Sequence, residues 1–348
     1  MLVVVVLGLA LAFFGGTVNQ PVLVRGADGE FAPQYDASGQ KVLVQRNRFL
    51  NSQNLAQLAK DTSFIGIMAV GMAVVIISGG IDLSVGAIYA LSAVLSALVL
   101  HHYGQPGASP GLGLFFAVLV CLGTGLLCGL VNGALIIGLR LHPFIITLGT
   151  MAIFRGMALV ASHGQSIGDF PPQWQHIVKF QFSAGLTFVP PLVMVVVMIA
   201  GWLFLSRFAA GRRVFAVGGN EIAAKFSGIQ VPKVKLGVYL WSGGLSGLAA
   251  LLALGYYGSA SSGDANGYEL NVIAAAVVGG ASLTGGRGSA FGAVLGALII
   301  QMISTGIIIL GIDQNYSQII TGTVVVVAVA LDSFNSWLAQ RRLARRVD

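Results

Sequence analysis

Charge is scarce in this chain. Only 9% of its 348 residues are Asp, Glu, Lys or Arg, against roughly 25% in soluble domains. Such a shortage excludes an ordinary water-soluble fold. None of the six lysines (Lys41, Lys60, Lys179, Lys225, Lys233, Lys235) is followed by Ser or Thr, so the glycine-rich loop that cradles nucleotide phosphates is missing. The His-Glu-x-x-His spacing of zinc proteases is missing as well. The histidines His101, His102, His142, His163 and His176 all fall at the ends of apolar runs or between them, where solvation is the default and a metal site is not indicated. Cysteine is limited to Cys121 and Cys128, seven residues apart and therefore on one helical face, which reads as two buried thiols rather than a disulfide. Acids within membrane depth are needed for ion coupling, and only Asp82 lies between apolar runs without an obvious hydrated loop.

What the chain does have is hydrophobicity. Apolar residues make up 56%, and runs of nearly 20 recur from end to end, the length that spans a bilayer as a helix. The expected fold is all-α and polytopic, one transmembrane domain over residues 1–348, and the alternating short segments of a β-barrel are absent. Ten spans account for the pattern, at about 1–16, 55–78, 85–100, 112–138, 144–162, 186–206, 236–257, 270–283, 289–310 and 316–334. Residues 1–14 lack the basic start of a signal peptide and read as a first membrane helix. The eighth span is too short to cross straight; discontinuous helices are tolerated only where protein or a water-filled cavity surrounds them. The net charge of +7 follows membrane orientation and carries no indication of nucleic acid.

Basic loops set the expected orientation. Arg207, Arg212, Arg213, Lys225, Lys233 and Lys235 cluster around one connection, and Arg341, Arg342, Arg345 and Arg346 fill the tail. Both are expected in the cytoplasm, which places the N-terminus there too. Residues 17–54 then form an extracytoplasmic excursion, although Arg25, Lys41, Arg46 and Arg48 dissent from it.

Two polar stretches interrupt the apolar pattern. The first is Ile77-Ser78-Gly79-Gly80-Ile81-Asp82-Leu83-Ser84-Val85-Gly86. Glycines permit a sharp break, and Asp82 and Ser84 can each cap the helix that follows. Two readings stand: a turn at the membrane surface, or a helix break inside a translocation pathway. Gly79-Gly80-Ile81-Asp82-Leu83-Ser84 is echoed by Gly279-Gly280-Ala281-Ser282-Leu283-Thr284, 200 residues on. A second echo, Gly129 to Ile137 with Gly292 to Ile300, has an offset of 163, so one uniform repeat does not explain both. Glycines four apart (Gly125, Gly129, Gly133; Gly243, Gly247; Gly288, Gly292, Gly296) lie on single helix faces and permit close packing. Arg155, well inside the fifth span, is expected to snorkel outward.

The second stretch is the cytoplasmic connection, residues 207–235. Asn220 suits a helix N-cap, Glu221 suits the positive first turn, and Gly228 suits a terminator. A short surface helix over Glu221–Ser227 is expected, either a plain loop element or a piece that lies in a partner's groove.

Taken together these stretches resemble one family. Ser78 to Gly86, His142-Pro-Phe-Ile-Ile-Thr-Leu-Gly-Thr150 with Arg155-Gly156, Gly211 to Ile229, and Val278-Gly-Gly-Ala-Ser-Leu-Thr-Gly-Gly286 are similar, in order, to the permease subunits of ribose/xylose/galactose-type ABC importers of bacterial inner membranes. The resemblance implies two permeases, either two copies or a copy and a paralogue, forming the pathway. It also implies a cytoplasmic ABC ATPase that binds the ATP, so that this chain needs no cofactor, and a periplasmic sugar-binding protein that delivers a monosaccharide. Glu221-x-Ala223-Ala224-xxx-Gly228 is similar to the coupling motif of such importers, which marks Arg212, Asn220, Glu221, Ala223, Ala224 and Gly228 for ATPase contact. Asp82, Ser84, Asn132, Thr147 and Gln301 are polar residues suited either to the sugar's path or to interhelical hydrogen bonds. An ion-coupled secondary carrier using Asp82 is the alternative.

Overall fold

Backbone N–H and C=O groups cannot be left unpaired in lipid, so long apolar runs fold as helices. The structure, a computed structural model, describes residues 1–25, 31–104, 109–170, 172–183, 186–324, 326–327 and 330. Seven of its helices are long and apolar enough to cross a membrane: α2 (Ser52–Ile77), α3 (Val85–Tyr103), α4 (Pro110–Leu139), α5 (Pro143–Ser162), α7 (Val189–Arg207), α10 (Val231–Tyr257) and α12 (Ala290–Ile309). Two further apolar helices, α1 (Leu2–Phe14) and α11 (Tyr268–Val278), have 13 and 11 residues; at about 1.5 Å per residue neither covers a ~30 Å core. The last predicted span is helical over 317–324, 326–327 and 330; its residues 325, 328–329 and 331–334 and the tail arginines lie outside the described residues.

The chain is not purely helical. Within the polar excursion after α1, β1 (Thr17–Pro21) pairs antiparallel with β4 (Leu43–Asn47), and β2 (Leu23–Arg25) pairs with β3 (Phe31–Pro33). This ribbon is tied to the helices by Asn47, which donates to Ala12 O at 2.7 Å, and by Arg48, which donates to Ile309 O at 3.1 Å. A second small hairpin, β5 (Gln181–Ser183) with β6 (Leu186–Thr187), follows the short helix α6 (Pro172–Val178).

α2 is the centre of the bundle. Of its most apolar stretch 94% is buried, against 22% for α7, so α2 is wrapped by protein while α7 presents apolar side chains outward. Glycine faces bring the other helices close. Gly125 and Gly129 on α4 meet Gly243 and Gly247 on α10 backbone to backbone, where an added methyl would crowd the facing main chain. Gly292 and Gly296 on α12 do the same against Gly279 and Ala275. The glycine faces on α4, α10 and α12 are therefore helix contacts; Gly288, read from the sequence as part of the α12 face, instead precedes that helix in the loop at φ +151. The faces on α4 and α10 meet each other. Cys121 and Cys128 are free and buried beside this seam.

Candidate functional site

The break after α2 is built from the end of the helix outward. Ser78 ends α2, Gly79 adopts φ +83, Gly80 N–H donates to Val75 O, and Gly79 N–H donates to Ile76 O. This paired closure needs a left-handed residue, which glycine supplies at little cost. After α11 the same closure recurs: Gly280 at φ +96, Ala281 N–H to Ala276 O, Gly280 N–H to Val277 O. The echo between the two breaks is thus structural, but Gly79 corresponds to Gly280 and Ser78 to Gly279, one residue away from the alignment read off the letters.

Asp82 then sits wholly buried among donors. Ser84 N and Oγ donate to its Oδ1 at 3.0 and 2.6 Å, and Ser242 Oγ donates to its Oδ2 at 3.0 Å. Asn132 Nδ2 donates in turn to Ser84 Oγ at 2.7 Å. Thr147 Oγ1 lies 3.3 Å from Ile81 O, which Tyr239 OH also approaches at 3.4 Å. Neither Asp82 nor Ser84 caps α3 as expected: no side-chain cap bond forms there, and Ser84 Oγ instead donates to the carboxylate and accepts from Asn132. Asn132 lies seven residues before the end of α4 and Ser242 eleven after the start of α10, about 10 and 16 Å along at the helical rise. The cluster is therefore well inside the helix bundle. Four of the five polar candidates, Asp82, Ser84, Asn132 and Thr147, converge here in hydrogen bonds that cross between elements. Gln301 stands apart, partly exposed on α12.

Gly86, in the first turn of α3, faces a different neighbour. A Cβ there would stand 2.6 Å from Ala265 O and 2.7 Å from Glu269 Oε2. The 258–267 loop thus enters the bundle before α11 begins, which is how an 11-residue helix reaches its place. Arg155 holds that loop: Nη1 donates to Ser262 O and Asp264 O, each at 2.6 Å. It points inward, not outward as its position in an apolar run suggested. Nor is it the only base in such a run. Lys60 on α2 is 2% exposed, paired with Asp61 at 2.8 Å and stacked 4.2 Å from the centre of the Tyr256 ring.

The connection after α7 is helical almost throughout. α8 (Ala209–Gly219) was not expected; α9 (Glu221–Phe226) was. Asn220 Oδ1 accepts from Ala223 N at 2.9 Å, and Gly228 closes the helix at φ +80. Ala224 is buried against Val217 and Val231, which fixes α9 to α8 and α10. Glu221 is paired with Lys235 at 2.8 Å. Arg212 is exposed on α8, and Ala223 is exposed on α9. Ile222 and Phe226 are 70% and 88% exposed, two large apolar side chains that α9 leaves uncovered.

Sequence reasoning missed Ser242, Tyr239, Glu269 and Lys60. The first two are polar residues in an apolar run, and their only signal was that burial demands a partner. A short serine-hydrolase-like spelling, Gly164-Gln165-Ser166-Ile167-Gly168, does occur. It lies in the loop after α5, where Ile167 bridges to Ala260, and not on the strand-to-helix turn such a nucleophile needs. No group of His, Cys, Asp and Glu suited to a metal is present among the described residues.

Residues 54–329 match the family model described as branched-chain amino acid transport system / permease component. The chain is 39% identical to the ribose import permease of Bacillus subtilis (strain 168) over 295 residues, 84% of this chain and 88% of that one. It is 36% identical to the D-allose transport system permease of Escherichia coli (strain K12), over 82% of this chain and 84% of that one. With the fructose import permease of Rhizobium meliloti it shares 34% identity, over 84% and 81% respectively. No solved structure matches it significantly.

Proposed function

The chain belongs to the family of branched-chain amino acid transport system permease components, and from that premise we propose that it is the membrane-spanning subunit of a bacterial ATP-binding-cassette importer that carries a monosaccharide. It is a multi-pass protein of the inner membrane. The observation that carries the reading is the extent of the likeness: relatives described as ribose, allose and fructose permeases match over four-fifths or more of their own length. A pentose or hexose is the substrate class those relatives favour.

ATP is bound by a separate cytoplasmic ABC ATPase, and sugar arrives from a periplasmic binding protein; a second permease, identical or paralogous, completes the pathway. Both termini lie in the cytoplasm, with ten spans between them. The arm of α8 and α9 meets the ATPase through Arg212, Asn220, Glu221, Ala223, Ala224 and Gly228. Its support is the capped, terminated α9, held in place by Ala224 and presenting Ile222 and Phe226 to water. ATP-driven closure of the ATPase pair moves this arm, and the pathway alternates its access. A substitution of Phe226 by Asp tests this contact. Loss of the co-purifying ATPase with an intact permease is the expected result, and full retention together with normal uptake would contradict it.

A further inference from the structure

Movement received by α9 must reach the helices that line the pathway, and the structure shows a hard backbone contact between the arm and both helix breaks. Gly218, two residues before the N-cap of α9, is wedged against the end of α2 and the loop between α11 and α12. A Cβ at Gly218 would overlap Ile77 O and stand 2.8 Å from Gly286 N. From the other side, a Cβ at Gly285 would lie 2.5 Å from Gly218 O, and one at Gly286 would lie 2.9 Å from Gly219 Cα. Gly79 faces the same spot, with Gly218 Cα 3.9 Å from its Cβ position. The two breaks are themselves joined here, because Gly286 N–H donates to Ile77 O at 2.9 Å. At its root the arm packs on α7, with Gly211 against the Phe204 and Leu205 backbone, and Val214 is buried among Val74, Val75 and Leu205; open clefts lie beside it on two sides. One, of about 710 Å³, lies between it and the Val74, Phe204 and Trp241 side chains; the other, of about 820 Å³, lies towards Ile136, Arg140 and Pro143.

We infer that Gly218 is a positioning residue for transport: its backbone contact with Ile77, Gly285 and Gly286 is a rigid strut that carries the movement of α9 to both helix breaks at once. Backbone packed on backbone leaves no side-chain slack, and close-packed contacts transmit displacement where an open cleft cannot. The Gly211 contact roots the arm on α7, and Gly218 is where it reaches the two breaks. The inference rests on the proposed docking of an ATPase to α9.

The adjacent glycine supplies the control. A Cβ at Gly219 meets nothing within 4 Å, so Gly219→Ala makes the same change of helix propensity one residue away, with its methyl in open space. The importer is purified through a tag on the full chain and placed in proteoliposomes, and ribose accumulated per ATP hydrolysed is measured. Gly218→Ala is expected to keep its co-purifying ATPase and its hydrolysis while ribose per ATP falls about tenfold or more; Gly219→Ala is expected to behave as the unaltered protein. Equal coupling in the two variants would overturn the inference. Should Gly218→Ala fail to assemble, spin labels at Gly219→Cys and Arg287→Cys report the strut directly. Their separation is expected to stay fixed between the nucleotide-free and vanadate-trapped states, and a change of several ångströms would overturn it. If no ATPase accompanies the unaltered chain, it is the docking reading that fails, an outcome distinct from both.

Discussion

At the scale of single residues, Asp82 is a structural acceptor. Three donors from Ser84 and Ser242 converge on its carboxylate, so removing it orphans buried hydroxyls, each costing about 1–3 kcal/mol. Asp82→Ala is therefore expected to lower the melting temperature in detergent markedly. Asp82→Asn keeps an acceptor for Ser84 and sets an N–H towards Ser242 Oγ, and it is expected to retain both the fold and ATP-driven uptake. Loss of uptake in a well-folded Asp82→Asn protein would instead favour proton carriage by this group. The importance of Asp82 was legible from the sequence, since a lone acid between apolar runs must be satisfied somewhere. Its partners were not legible. Ser242 lies 160 positions away, and nothing in its local run distinguishes it from serines that bond their own helix, as Ser246 does to Ser242 O. Arg155 shows the same limit in another way: its two carbonyl acceptors sit in a loop over a hundred residues distant. Local hydropathy could see the charge but not what would meet it.

At the scale of elements, helix boundaries were readable where capping chemistry marks them and unreadable where glycine alone decides. Asn220 and Gly228 bracket α9 as expected. Asn220→Ala removes the bond to Ala223 N and is expected to cost about 1 kcal/mol, enough to fray so short a helix; faster amide exchange at Ala223 and Ala224 would register it. α8 escaped notice because Gly211, Gly218 and Gly219, three of its eleven residues, look like a loop. Two of them, Gly211 and Gly218, serve close approach to neighbouring backbone, not flexibility. The seam between α4 and α10 makes a sharper prediction. Gly129→Val must force backbones apart, at about 1–3 kcal/mol or more. Gly138→Val on the same helix meets open space and is expected to leave the melting temperature nearly unchanged. Equal thermal shifts in the two would mean that the seam does not hold the helices together. The polar excursion was legible as polar, yet its ribbon was not, because strand pairing such as Thr17 with Asn47 joins segments that separately show no alternation.

At the scale of the whole molecule, the arrangement is a buried central helix, two matched breaks, and an arm that touches both. In the proposed mechanism the work comes from a separate ATPase, and the arm is where it enters this chain. The class of protein was legible from composition alone, and the family from motif order, because both depend on local residues. What lay hidden was the contact of Gly218 with Ile77, Gly285 and Gly286, a meeting of three distant segments through their backbones. The most direct measurement of the central claim is ribose accumulation in proteoliposomes, first with this chain alone under a proton gradient and then with the ATPase, the binding protein and ATP supplied. No accumulation in the first condition and uphill accumulation in the second is the predicted result; uphill accumulation by the chain alone would contradict it.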